Sequence, residues 1–190
     1  MRIAVDLDNT ILDTSTMIIN LYNKLYDKNI KINYKDLKWD FQPYISKEEL
    51  PKVLKLFVNE HLYDEPIVFP NAIKTIQKLC DERHKVIICS KHSEERKPHT
   101  TKFIQSILPD VKIFYTDTFN KSYIGHVDVA IDDKIECLDS IDADLKILYG
   151  NYNWNKNIEN TKDYVRAEDW TCVLLYMVLT ETIIESVGGK

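Results

Sequence analysis

Short continuous apolar runs alternate along this chain with stretches whose apolar residues recur at helical spacing. Residues 3–5, 85–89, 111–115, 127–131 and 145–148 are uninterrupted enough to predict strands covered on both faces. Tyr164 and Val165 suggest a short edge strand after the Asn-rich loop 150–160. A helix is predicted over 16–26, where Ile18, Ile19, Tyr22, Leu25 and Tyr26 share one side. A second opens on the capping-box pattern Ser46-Lys-Glu-Glu49, with Pro51 near its first turn, and runs to about Leu62. Pro70 begins a third, with Ala72, Ile73, Ile76 and Leu79 as its inner stripe. Others follow Ser90 to about Leu108, start near Lys134, and run from an Asp169 cap to about Ile184.

Buried strands separated by helices predict an α/β fold with a doubly wound parallel sheet. The helical segment 14–68 interrupts that rhythm between the first two strands. It is expected to be a small inserted cap, which leaves 1–13 and 69–190 as the α/β core. Repeats and low-complexity tracts are absent from the sequence.

Composition narrows the classes. A chain of 190 residues with 44% hydrophobic and 29% charged residues can bury a substantial core. A formal charge of −5 argues against holding a nucleic-acid backbone by bulk electrostatics, so no stable nucleic-acid complex is expected. A small anionic substrate remains compatible, because a bound cation inverts the local sign. Cys80, Cys89, Cys137 and Cys172 are too scattered for a zinc site and are expected to be reduced and mostly buried. With no signal-peptide pattern and no long apolar run, a cytoplasmic protein without a membrane partner is expected.

The chemistry collects at predicted strand ends, where open parallel sheets bind ligands. Asp6 and Asp8 end the first strand, with Asn9 and Thr10 adding turn chemistry and a hydroxyl; Ser90 ends the second. Asp132 and Asp133 end the 127–131 strand, and Lys121 lies on the connection into it. Residues i and i+2 of an extended segment point to one side, so Asp6 and Asp8 can face one small volume. Taken singly, each piece has a plain reading: a solvated turn, a helix cap, a surface lysine. Together they suit phosphoryl transfer through an aspartyl-phosphate. One carboxylate attacks, a second protonates the leaving oxygen, carboxylates hold Mg²⁺, and a lysine and a hydroxyl steady the phosphoryl oxygens.

These motifs, Asp6-Leu-Asp8-Asn-Thr10, the apolar strand ending in Ser90, Lys121 and Ile131-Asp132-Asp133, resemble the four motifs of the haloacid dehalogenase superfamily, in order. The second aspartate is what its phosphatases carry. The resemblance implies Asp6 as nucleophile and Asp8 as general acid/base, and Ser90 and Lys121, with Asn9 and Thr10, as the phosphate-binding set. It further implies Mg²⁺ on Asp6, the Asp8 carbonyl and one or both of Asp132 and Asp133. The cap position, the cluster Trp39-Asp40-Phe41, and the segments Asn153-Trp154-Asn155 and Arg166–Trp170 are most similar to the 5′(3′)-deoxyribonucleotidases and their bacterial and phage relatives. A (deoxy)nucleoside monophosphate is then the expected substrate, with Trp39 and Phe41 either stacking on the base or gluing the cap to the core. Another small phosphate ester, a 3′-phosphate on a nucleic-acid end, and a non-catalytic binding module stay open as alternatives.

The remaining candidates read plainly. His92 and His99, near Arg96 and Lys97, are compatible with a metal or phosphate patch but fit a solvated first helix turn better, and His126 is expected to be structural or exposed. Asp13 and Thr14 are expected to cap the first helix, or alternatively to line the entrance between core and cap. Trp170, Leu174, Leu175, Met177 and Val178 of the last helix suit core packing, or alternatively a homodimer face.

Overall fold

The computed structural model describes residues 1–158 and 163–188, without the side chains of Glu181 and 183–188. Its elements run β1 (Arg2–Val5), α1 (Thr14–Tyr26), α2 (Leu50–Leu56), α3 (Ala72–Asp81), β2 (Lys85–Lys91), α4 (Arg96–Ile107), β3 (Lys112–Thr116), β4 (Val127–Asp132), α5 (Ile135–Ser140), β5 (Ala143–Tyr149), β6 (Tyr164–Ala167) and α6 (Trp170–Gly188). All strand pairs are parallel, in the order β3-β2-β1-β4-β5-β6, so the two halves wind outward from β1. The expected doubly wound sheet is what forms.

Side-chain alternation explains the apolar runs. Ile3, Val5, Val86, Ile88, Val129 and Ile131 face one hydrophobic cluster, while Ala4, Ile87, Cys89 and Ala130 face a second. The first cluster takes in α1, α3, α4 and α6; the second packs on Leu138 of α5. Covering both faces is what a parallel sheet requires.

Boundaries shift at several ends. Asp13 caps α1 by accepting the Thr16 N–H at 3.0 Å, so the helix starts at Thr14 rather than residue 16. The Ser46 hydroxyl accepts the Glu49 N–H, but regular α-helix begins only at Leu50. It widens after Leu56 into a π turn, Phe57–His61. Pro70 lies two residues before α3, where Asn71 takes a left-handed conformation (φ 66°). The ends of segment 14–68 are stitched together beside β1, with Asp13 N–H donating to Ile67 O (2.8 Å) and Phe69 N–H to Ile11 O (2.9 Å).

Two expectations about packing need correction. On α6, Trp170, Val173 and Met177 are buried, whereas Leu175 and Val178 face outward, because a helix lying on one sheet face covers only one stripe. The cysteines are free thiols, but only Cys89 and Cys137 are buried; Cys80 and Cys172 are half-exposed. The 150–160 loop is seen to residue 158, and its last two residues lie outside the described ones. No helix among the described residues is long and apolar enough to cross a membrane.

Candidate active site

Register brings the acidic residues together. Val5 of β1 pairs with Ile88 on one side and Ile131 on the other. Asp6 and Asp132 therefore leave the sheet side by side, and the Asp6 N–H donates to Ile131 O at 2.9 Å. Ser90 stands two residues past Ile88 on β2. Asp6, Asp8, Ser90, Lys121, Asp132 and Asp133 all line one chamber of about 120 Å³ at this edge. That is the place a doubly wound sheet reserves for ligands.

Lys121 is the first surprise of scale. Read singly it suits the surface, yet it is 1% exposed. Its Nζ donates to Asp6 Oδ1 and Asp132 Oδ2, both at 2.6 Å. Those two carboxylates outweigh the penalty of burial and raise the lysine above its ordinary range. Carboxylate oxygens of Asp6, Asp132 and Asp133 lie within 4.8 Å of one another, all buried. Three carboxylates against one ammonium leave surplus negative charge. Burial, with repulsion from Asp132 and Asp8 and in spite of Lys121, pushes Asp6 up to about 7. Burial and the charges of Asp132 and Asp6 also raise Asp133. Hard oxygen donors with unbalanced charge fit a divalent cation such as Mg²⁺.

Asp8 has a different environment. Arg96, the first residue of α4, donates from Nη1 to Asp8 Oδ2 and from Nη2 to Oδ1, each at 2.7 Å. Thr14 Oγ1 donates to Oδ1 at 2.6 Å, and His92 Nε2 lies 3.4 Å from Oδ2. Burial alone would raise the carboxyl, but the guanidinium, with His92, holds it well below the usual carboxylate range. Asp6 and Asp8, two residues apart, are thus pushed in opposite directions.

Asn9 and Thr10 support the site from beneath. Asn9, at φ 56°, accepts the Ser15 N–H on its side-chain oxygen at 3.1 Å. Thr10 is fully buried and its hydroxyl meets no partner among the described residues, while its carbonyl accepts the Trp170 indole N–H. Trp39 lines both the small chamber and an adjoining cleft of about 240 Å³ that Phe41 shares. The Trp39 ring meets Trp154 and Phe119 edge-on, at 5.2 and 6.1 Å, and carries the Lys134 ammonium 3.8 Å from its centroid. It therefore joins segment 14–68 to the core while also walling the cleft.

A family model described as 5′ nucleotidase, deoxy (pyrimidine), cytosolic type C protein matches residues 1–181. The chain belongs to that family. As such it is a phosphoric monoester hydrolase of the haloacid dehalogenase type. Solved structures of similar fold include a putative phosphoglycolate phosphatase from Lactobacillus delbrueckii subsp. bulgaricus, with TM-score 0.59 and 14% identity over 96% of this chain and 97% of that one. The putative hydrolase YfnB from Bacillus subtilis, described as bound to magnesium, aligns at TM-score 0.54 and 14% identity over 94% and 97%. A hydrolase of the same superfamily from Ehrlichia chaffeensis aligns at 0.52 and 15% over 94% and 96%. Identities this low speak for the fold. No curated protein sequence matches the chain.

In this member of the nucleotidase family the candidate site gathers further residues that the sequence pattern did not place there. His92 and Arg96, expected in a solvated helix turn, are drawn inward; His92 is 3% exposed and Arg96 pairs with Asp8. His99 stays on the surface, as expected of that turn. The missed signal is positional: a helix that starts just past a strand's carboxyl end sets its first turn over the ligand edge. Thr14 does more than begin α1, since its hydroxyl reaches Asp8. Trp154 belongs to the site too, donating its indole N–H to Asp133 Oδ2 at 2.9 Å. His126 is exposed, beside Asp142 and Asp144.

Proposed function

We propose that this protein is a Mg²⁺-dependent phosphomonoesterase that works through an aspartyl-phosphate on Asp6, with (deoxy)nucleoside monophosphates as substrates. The observation that carries the reading is the convergence of Asp6, Asp8, Ser90 and Lys121 on one 120 Å³ chamber that opens beside a larger, aromatic-walled cleft. The chamber matches a phosphoryl group, and the cleft has room for a nucleoside. Mg²⁺ would be held by Asp6, the Asp8 carbonyl and one or both of Asp132 and Asp133, and would supply the charge neutralisation that lets a carboxylate approach an anionic phosphate. Segment 14–68 serves as the cap that bounds the cleft.

Asp6 attacks phosphorus in line, forming the new O–P bond as the bond to the leaving oxygen breaks. Asp8, which Arg96 holds ionised at rest, takes up a proton when the monoanionic phosphate ester enters and passes it to that oxygen, returning to the carboxylate. It then takes a proton from the water that cleaves the aspartyl-phosphate, which restores Asp6 and releases inorganic phosphate. Lys121 and Ser90 steady the equatorial oxygens. Arg96 and Thr14 set the direction in which Asp8 points.

Phosphate release from a panel of nucleoside 5′- and 3′-monophosphates, deoxynucleotides, sugar phosphates and 3′-phosphorylated oligonucleotides, with Mg²⁺ and with excess chelator, tests the proposal. Mg²⁺-dependent turnover concentrated on nucleoside monophosphates is expected. Preference for sugar phosphates or oligonucleotide ends would overturn the substrate, and turnover unaffected by chelator would overturn the metal.

A further inference from the structure

Each buried carboxylate of the proposed metal cluster has a donor that fixes its direction, and for one of them the donor is unexpected. Asp6 and Asp132 are held by Lys121, and Asp132 also accepts the Lys134 N–H at 2.9 Å. Asp133, 3% exposed, receives on its side chain a single hydrogen bond among the described residues, from the indole of Trp154. We propose that Trp154 is a positioning residue for divalent-cation binding: its N–H holds Asp133 Oδ2 so that the other oxygen faces the cation. This inference rests on the Mg²⁺ role proposed above.

The loop that carries Trp154 is built as a rigid mount. The Trp154 ring stacks on Tyr152 at 4.6 Å and 4°, and the Tyr152 hydroxyl donates to Asn9 O at 2.7 Å, beside the Asp6–Asp8 turn. Asn155 Nδ2 donates to the carbonyls of Asp133 (2.8 Å) and Tyr149 (2.9 Å), tying the loop to both strand ends. Arg166 of β6 reaches the carbonyls of Gly150, Asn155 and Ile158. Gly150 itself, at φ +74°, leaves no room for a Cβ, which would come within 2.3 Å of the Tyr152 ring. Stacking alone would be served equally by phenylalanine; only the directed N–H calls for tryptophan. A neutral donor also orients Asp133 without bringing a second ammonium to compete with the cation. The same indole touches Trp39 edge-on, so the inserted segment rests on the group that orients the cation ligand.

Outer hydrogen-bond partners of metal ligands are typically worth ten- to a hundredfold in affinity. Calorimetric titration of the whole protein with Mg²⁺, and with Mn²⁺ as a tighter probe, should show Trp154→Phe binding about tenfold or more weakly than wild type, with an unchanged circular dichroism spectrum. Independently of any variant, the Trp154 indole N–H resonance of the wild-type protein, assigned through its contacts to Tyr152, should move on saturation with Mg²⁺. An affinity in Trp154→Phe within about twofold of wild type, or an unmoved Trp154 resonance while the cation binds, overturns the inference and leaves the metal reading standing. If the wild type takes up no cation, the metal reading falls and this inference with it.

Discussion

Arg96 grips Asp8 with both terminal nitrogens, 2.7 Å to each carboxylate oxygen, across 88 positions of sequence. The pair joins the loop after β1 to the first turn of α4. A bidentate guanidinium favours the ionised carboxylate and fixes its plane, which a lysine would not do.

Substituting Arg96→Met should therefore leave Asp8 with only Thr14 and His92. Removing one member of a buried pair costs about 3–5 kcal/mol, and the residual exposure of Asp8 puts the loss near the lower bound, about 3 kcal/mol. Urea denaturation measures it. The Asp8 carboxyl resonance should also titrate at a higher pH in the variant, since the group that lowers it is gone; an unshifted midpoint would contradict the assignment of Arg96 as that group.

Asp6→Asn should reduce phosphate release by at least about a thousandfold, because the attacking oxygen becomes an amide. Asp8→Asn should spare the aromatic ester p-nitrophenyl phosphate in its first step, whose leaving group needs no proton, more than it spares a nucleotide. A burst of p-nitrophenol followed by a slow phase, seen in stopped flow, is the expected record. Equal losses on both esters would remove Asp8 from the acid role.

Cation uptake should release protons. Asp6, pushed up to about 7 by burial and its acidic neighbours, is partly protonated near neutral pH in the cation-free protein, and Asp133 is raised as well. A cation binds the ionised forms, so affinity should fall as pH drops below 7, by up to about tenfold per unit for each proton displaced. Calorimetry in buffers of different ionisation enthalpy counts the protons. More should be released at pH 6 than at pH 8.5.

Gly150→Ala should destabilise the protein by about 2–3 kcal/mol, from a left-handed backbone and a collision with Tyr152. Because that ring supports Trp154, cation affinity should fall with it, measured on the folded fraction by the same titration.

The linear order of residues sufficed for the strands, the parallel sheet and the principal motif positions. Apolar runs of strand length and acids at their ends are local patterns, and a parallel sheet gathers its strand ends at one edge by construction. Lys121 could be named from its place before β4, although nothing local foretold its burial between Asp6 and Asp132. The break in the strand–helix rhythm over 14–68 was visible, while the π turn there and the exact helix starts were not, since packing decides the last turns. His92, Arg96 and Trp154 lay beyond local reading. Their inward direction depends on how α4 and the 150–158 loop pack over the sheet, and a charged residue in a first helix turn has the same sequence signature whether it meets water or a carboxylate. What the sequence by itself determined was which acids reach the ligand edge. Tertiary structure alone decided their charge states, because burial and the placement of Lys121, Arg96 and the Trp154 indole set the field in which Asp6 rises and Asp8 falls.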